Sequence, residues 1–170
     1  MSTWIGLSVA APLGIGLCAS YSALRPGASG WHRRLRKPKY NASHSSLLPL
    51  FAAIYAIEGI ATCLVSNEMV VGHSTRELVA AQAGHWGLGF YWLSLTFLVF
   101  WPALIASESW LEIAMADIAV AGVFQFLALV QFFRLTTIGG LLQLLCFFVT
   151  LALGVWNAAL IQTSREVLPL

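Results

Sequence analysis

The chain has 170 residues, of which 59% are hydrophobic and only 9% charged, and its mean hydropathy is +0.80. A soluble domain of this composition would lack the polar groups needed to cover its surface, so we predict an integral membrane protein. The formal net charge of +2 is too small for nucleic-acid binding by the whole chain, and we exclude nucleic acid as a partner.

Five apolar runs are long enough to cross a bilayer core of about 30 Å, which requires roughly 20 helical residues. We place these spans at about 4–24, 47–66, 86–105, 113–133 and 138–162. The runs lack the alternation of barrel strands, and they use nearly the whole chain. The sequence therefore predicts an all-α membrane protein, with residues 1–170 forming a single bundle of five transmembrane helices in contact with the lipid bilayer.

The loop between the first two spans, residues 25–46, holds six of the nine Lys and Arg residues. The loops predicted on the opposite side contain only Arg76 and Arg134. Because basic loops stay in the cytoplasm, we predict a cytoplasmic first loop, an N-terminus on the other side and a cytoplasmic C-terminus. The glycosylation sequon at Asn41 would then never be glycosylated.

Two acidic residues, Glu58 and Asp117, lie within predicted spans, where ionisable groups are rare. Glu58 shares one helical face with three residues, Phe51, Tyr55 and Thr62, so that face is predicted to point into the bundle. One interpretation is a ligand or proton contact. The other, which we favour for Glu58, is a protonated or hydrogen-bonded carboxyl that joins two helices.

Polar residues also form stripes on two other spans. Span five carries Gln143, Thr150 and Asn157 at intervals of seven residues. Span three aligns Gly87, Tyr91, Ser94, Leu98 and Trp101. Such stripes either join helices or line a cavity for a large, mostly apolar ligand. Trp101 and Trp156 lie away from the interfaces where tryptophan usually anchors, so pocket lining is a plausible role for both.

The sequence contains no nucleophile–base pair, phosphate-binding glycine loop or metal-ligand cluster, so we predict no catalytic and no metal-binding residue. Cys18, Cys63 and Cys146 lie in apolar runs and indicate small core residues rather than disulfides. The four histidines lie in loops or at span ends, which argues against two axial ligands of a buried haem. No cofactor is required.

The stretch from Trp31 to Gly59 resembles the translocator protein family, also called tryptophan-rich sensory proteins or peripheral benzodiazepine receptors. The matching residues are Trp31, Leu35, Lys37, Pro38, Tyr40, Leu47, Pro49, Phe51, Tyr55 and Gly59. Later matches are single positions at Arg25, Trp101-Pro102, Ala116-Asp117 and Asn157. The family consists of five-helix membrane bundles of about this length.

The resemblance implies a pocket between the helices, roofed by the first loop, for porphyrins (including haem as a ligand), sterols or benzodiazepine-type small molecules. By the same resemblance its residues would be Leu24, Leu47, Leu48, Pro49, Leu50, Phe51, Trp101, Ala116, Asp117 and Asn157. The implied location is the mitochondrial outer membrane in a eukaryote and the cell membrane in a bacterium. The sequence leaves a homodimer open.

This chain departs from the family pattern in the spans that hold the ligand. Leu98 and Val99 replace an Asn and a Trp, and Leu145, Cys146 and Val149 replace the Pro-Tyr and Trp of span five. No Tyr follows Tyr91, so the C-terminal cholesterol motif of animal members has no counterpart. Glu58 replaces a residue that is usually apolar.

The leading hypothesis is a non-enzymatic binding or transport protein for a porphyrin-like or sterol-like ligand. A second is a proton-coupled or ion-conducting transporter that uses Glu58 and Asp117 as a titrating pair. A third is a membrane assembly protein with helix interfaces at Gly84 to Gly89 and Gly139-Gly140. Porphyrin degradation ranks last, because the sequence shows no catalytic constellation.

Overall fold

The computed structural model describes residues 2–24, 44–71, 75–106 and 108–167. These ranges contain helices and no strand: α1 (Ser2–Leu24), α2 (His44–Val71), α3 (Thr75–Ile105), a short 3-10 helix (Glu108–Trp110), α4 (Leu111–Leu135) and α5 (Thr137–Val167). The predicted all-α architecture with five long helices is confirmed. Most of the basic first loop, including Arg25 and Asn41, lies outside the described residues.

Four helices contain segments long and apolar enough to cross a membrane. These segments are Leu47–Met69, Gln82–Ile105, Leu111–Leu135 and Thr137–Arg165. In α1 the apolar segment found in the described part is the shorter Val9–Tyr21, so membrane crossing by α1 stays a prediction. The protein is therefore a multi-pass membrane protein on the strength of α2 to α5.

The predicted start of α2 and the position of Pro49 in that helix were wrong. We predicted a helix that begins at Leu47, with Pro49 in its opening turn. The helix instead begins at His44, which places Pro49 in the second turn, with its ring exposed. Pro12 and Pro102 also lie inside helices. Helical proline is tolerated in membrane proteins because neighbouring helices and local adjustments satisfy the freed carbonyl groups.

Each of the five long helices packs against at least two others. Helix α4 packs against both α3 and α5, α1 packs on α2 and α3, and α2 also contacts α5. Thr136 is the one residue between α4 and α5, and its N–H donates to the Phe132 carbonyl at 2.9 Å. The Gly140 N–H donates to the Thr136 carbonyl at 3.0 Å, so the tight turn keeps its backbone groups bonded.

The predicted inward faces are confirmed. On α2, Glu58 and Thr62 are buried together with Phe51 and Tyr55, and every residue of the α3 stripe is buried. Gln143, Thr150 and Asn157 of α5 are buried as well. Large apolar side chains cover the outer surface, among them Phe100, Val123, Ile138, Phe148 and Val155, as expected for contact with lipid. Of the three cysteines, Cys146 is buried but Cys18 is exposed.

Glycines allow close helix contacts within this chain. The α-carbon of Gly16 lies against the Tyr55 ring, where a β-carbon would overlap the ring atoms. Gly84 faces Met69 of α2, and Gly140 faces Phe133 of α4. Two of the glycines considered as interfaces with partner proteins are thus occupied by contacts inside the bundle.

Candidate ligand site

Four aromatic side chains from three helices form a connected cluster, which we call the aromatic cluster: Phe51, Tyr55, Trp101 and Trp156. Ring centroids are 6.0 Å apart for Phe51 and Tyr55, 5.9 Å for Phe51 and Trp101, and 6.0 Å for Trp101 and Trp156. Tyr55 and Trp101 are fully buried, whereas Trp156 is partly buried. Ring pairs at such spacings attract beyond simple area burial, so the cluster ties α2, α3 and α5 together.

Several polar atoms at this end of the bundle are buried without a hydrogen-bond partner. They include both indole nitrogens, Trp101 Nε1 and Trp156 Nε1, and the side-chain oxygens Asn157 Oδ1 and Asp117 Oδ2. Asn157 uses its Nδ2 to donate to the Leu111 carbonyl at 3.4 Å, which joins α5 to the start of α4. Buried polar groups are nearly always bonded in native proteins, so these donors and acceptors are available to pair with a ligand or with water.

Asp117 belongs to the same end because of its position on α4. It follows the fully buried Ala114 by three residues and precedes the fully buried Ala121 by four, which places it on the inward face of the helix. Its neighbour Ile118 meets Gly154 of α5. The Asp117 carboxyl therefore lies along the α4–α5 seam, within about one turn of Asn157 in register.

A second polar group lies deeper in the bundle. The Gln125 Nε2 of α4 donates to the Glu58 Oε1 of α2 at 2.6 Å, and both side chains are completely buried. Sequence analysis did not single out Gln125, although it is one of two Gln residues, with Gln131, in the apolar run of α4. Asp117 precedes Gln125 by eight residues, or about 12 Å along the helix, so Glu58 and Asp117 belong to separate sites.

Comparison with known families gives a match to the TspO/MBR family model over residues 8–162, nearly the whole chain. The chain belongs to the TspO/MBR family. The resemblance found in the first loop and α2 is confirmed, and the family is generally one of non-enzymatic membrane binding and transport proteins. None of the curated proteins compared with this chain matches it.

The structure brings together part of the residue set that the TspO/MBR resemblance implies. Leu47, Phe51 and Trp101 share one buried core, and Asn157 is fully buried beside Trp156. Leu48, Leu50 and Asp117 are partly buried, whereas Pro49 and Ala116 are exposed; the side chain of Leu24 lies outside the described residues. The roles of all ten residues stay predictions.

A groove of about 560 Å³ lies elsewhere on the TspO/MBR bundle, between α4 and α5. Its walls are apolar and include Gly122, Phe126, Phe147, Leu151 and Gly154, and none of the implied site residues lines it. Phe126 and Leu151 are exposed to the surroundings of the bundle. The groove is therefore open on the outer surface of α4 and α5, and it is separate from the residues that the resemblance implies.

Proposed function

We propose that this TspO/MBR protein binds a large, flat, mostly apolar ligand within the bundle, and that it acts as a non-enzymatic binding or transport protein. The observation that carries the proposal is the aromatic cluster with unpaired polar atoms at the same end of the bundle. Ligand sites in proteins typically combine apolar and aromatic walls with a few polar groups that fix orientation.

The polar atoms favour a porphyrin-like ligand over a sterol-like one. The Trp101 and Trp156 indole N–H groups are donors, which suits the two carboxylates of a porphyrin. A sterol offers one hydroxyl, which satisfies one or two of these atoms. The aromatic rings supply stacking surface for a flat macrocycle.

Binding requires movement of side chains, because Phe51 and Trp101 are only 1% and 0% exposed. A ligand that enters between them replaces ring–ring contacts by ring–ligand contacts. Pairing of the buried polar atoms adds to the gain, since an unpaired buried group costs about 1–3 kcal/mol. We therefore expect ligand-induced opening of the aromatic cluster rather than entry into a preformed cavity.

Titration of the purified protein with protoporphyrin IX, followed by tryptophan fluorescence, tests the proposal. We expect saturable quenching, and Trp101→Phe should weaken binding about tenfold through the loss of the indole N–H donor and of part of the stacking surface. Trp92→Phe is the matched control, because Trp92 lies on the same helix but is exposed outward. Quenching without saturation, or equal weakening in both variants, would contradict a porphyrin site at the aromatic cluster.

We also propose that the end of the bundle with the aromatic cluster faces the cytoplasm. The C-terminus of α1, the N-terminus of α2 and the C-terminus of α5 lie at that end, since consecutive helices run antiparallel. The basic residues between α1 and α2 support this orientation by the positive-inside rule. A ligand would then reach the site from the cytoplasmic side of a mitochondrial outer or bacterial cell membrane.

A further inference from the structure

Glu58 lies at the midpoint of the apolar segment Leu47–Met69, and its side chain is 0% exposed. A carboxyl group at this depth is strongly disfavoured unless its charge is compensated. Gln125 bonds one carboxyl oxygen, Oε1, but the second, Oε2, has no partner. The Gln125 nitrogen, Nε2, donates this hydrogen bond. The Gln125 carbonyl oxygen, Oε1, has no partner either.

Gln143 of α5 reaches the same level of the bundle. Two contacts fix the register of α5 against α2: Gly139 lies against Val65, and the Cys146 sulfur lies 3.9 Å from the Ile54 carbonyl oxygen. Gln143 lies between Gly139 and Cys146, which places it beside the segment between Ile54 and Val65 that contains Glu58. The Gln143 side chain is completely buried, and both of its amide atoms are unpaired.

Helix α3 contributes a fourth polar residue, Tyr91, to the group formed by Glu58, Gln125 and Gln143. Gly84 of α3 lies against Met69 of α2, and the Tyr55 hydroxyl of α2 donates to the Leu98 carbonyl of α3 at 3.4 Å. Tyr91 is midway between Gly84 and Leu98, so it lies at the level of Thr62, about one turn from Glu58. The Thr62 hydroxyl uses its proton on the Glu58 backbone carbonyl at 2.8 Å, and the Tyr91 hydroxyl makes no hydrogen bond of normal geometry. Four helices therefore carry buried, unpaired polar atoms at the same level of the bundle, near the middle of the apolar segments.

Hydrogen-bond acceptors are in the majority among the unpaired atoms of these four residues. Three unpaired atoms, Glu58 Oε2, Gln125 Oε1 and Gln143 Oε1, are oxygens of carboxyl or amide groups. No cationic side chain neutralises Glu58 among those that the structure describes, because His85, Arg134 and Arg165 are all exposed. The titratable groups near Glu58, which are Tyr55, Tyr91 and Cys146, supply no positive charge either.

We propose that Glu58, Gln125, Gln143 and Tyr91 form a binding site for one dehydrated monovalent cation at the centre of the bundle. Carbonyl and carboxylate oxygens are the ligands that hard cations prefer. A single carboxylate balances a single positive charge, whereas the described residues contain no group of three His, Cys, Asp or Glu side chains to hold a multivalent metal ion. The site does not depend on a ligand at the aromatic cluster.

Cation-dependent thermal unfolding tests this site. The purified protein is heated in sodium, potassium, ammonium or choline chloride at one fixed ionic strength. Binding to the folded state raises the unfolding midpoint by mass action, so we expect a saturable rise with at least one of the three small cations and none with choline. Equal midpoints in all four salts would overturn the proposal.

Variants locate the effect. Glu58→Gln removes the charge that holds the cation and should raise the half-saturating concentration on the order of 10- to 100-fold. Glu112→Gln is the matched control, since Glu112 lies exposed at the start of α4 and its pairing with Arg165 is at the surface; it should leave the cation response unchanged. An unchanged half-saturating concentration in Glu58→Gln, or an equal rise in Glu112→Gln, would contradict the site.

Gln143→Met provides a second test that changes no charge. It removes one proposed oxygen ligand while the similar side-chain volume preserves packing, so the half-saturating concentration should rise on the order of tenfold. Because the readout is the difference between salts, a change in overall stability does not imitate the result. An unchanged cation response in Gln143→Met would exclude Gln143 from the site and remove the α5 contribution that the proposal requires.

Discussion

The Gln125 amide donates to the Glu58 carboxyl at 2.6 Å, and both side chains are completely buried, so we predict a strong energetic coupling between them. Gln125→Leu leaves the carboxyl without its donor and should lower the free energy of unfolding by about 1.5–3 kcal/mol. Glu58→Leu leaves the Gln125 amide unpaired and should also destabilise. Because the double variant leaves neither group unpaired, we expect it to lose at least about 1 kcal/mol less than the sum of the two.

Reversible unfolding in choline chloride measures this coupling without a contribution from a bound cation. Gln143→Leu is an informative control, since both Gln143 amide atoms are already unpaired and their removal should cost little or even stabilise the protein. Additive losses for Glu58→Leu and Gln125→Leu would show that the two side chains do not interact in the membrane.

At the scale of helices, the contact between α1 and α2 depends on a glycine. A β-carbon at Gly16 would overlap the buried Tyr55 ring, whereas the equivalent atom at Gly14 meets nothing within 4 Å. Gly16→Ala should therefore destabilise the protein by about 1–3 kcal/mol through overpacking. Gly14→Ala should be neutral or stabilising, because alanine favours helix over glycine by about 1 kcal/mol.

Unfolding midpoints of the two alanine variants in the same detergent test this difference. The substitutions are chemically identical and two residues apart on one helix, so effects of detergent or helix propensity cancel. Equal midpoints would mean that α1 does not pack against Tyr55 as described. A loss in Gly16→Ala alone would confirm that α1 belongs to the folded bundle, whether or not it spans the bilayer.

Helix boundaries and helix faces differ in how far the sequence predicts them. Bilayer thickness sets the length of an apolar segment, not of the helix, so α3 begins at Thr75 although its span was placed from residue 86. Faces follow from the helical period, which is local. The inward position of Tyr91, Ser94 and Trp101 was predicted for that reason and is confirmed.

At the scale of the whole molecule, contacts between residues far apart along the chain could not be predicted from the sequence. Gln125 lies 67 residues from Glu58, and their pairing depends on the register of α4 against α2, which no local pattern encodes. The aromatic cluster was partly foreseen: family resemblance supplied Phe51 and Trp101, and depth within a span suggested Trp156. Tyr55 follows Phe51 by four residues on the face of α2 that was predicted to point inward, and the two rings stack.

Orientation in the membrane is the prediction that involves the whole molecule. Thr137, at the start of α5, and Gln162, near its end, are both exposed and lie at opposite ends of the bundle. We expect Thr137→Cys to react with a membrane-impermeant maleimide on intact cells of a bacterial host, because the positive-inside rule places that end outside the cytoplasm. Gln162→Cys should react only after permeabilisation.

Both variants are made in a chain whose three native cysteines are replaced, and full labelling of both after permeabilisation is the control. The reverse pattern, or labelling of both in intact cells, would contradict a cytoplasmic C-terminus and would place the aromatic cluster at the opposite face of the membrane.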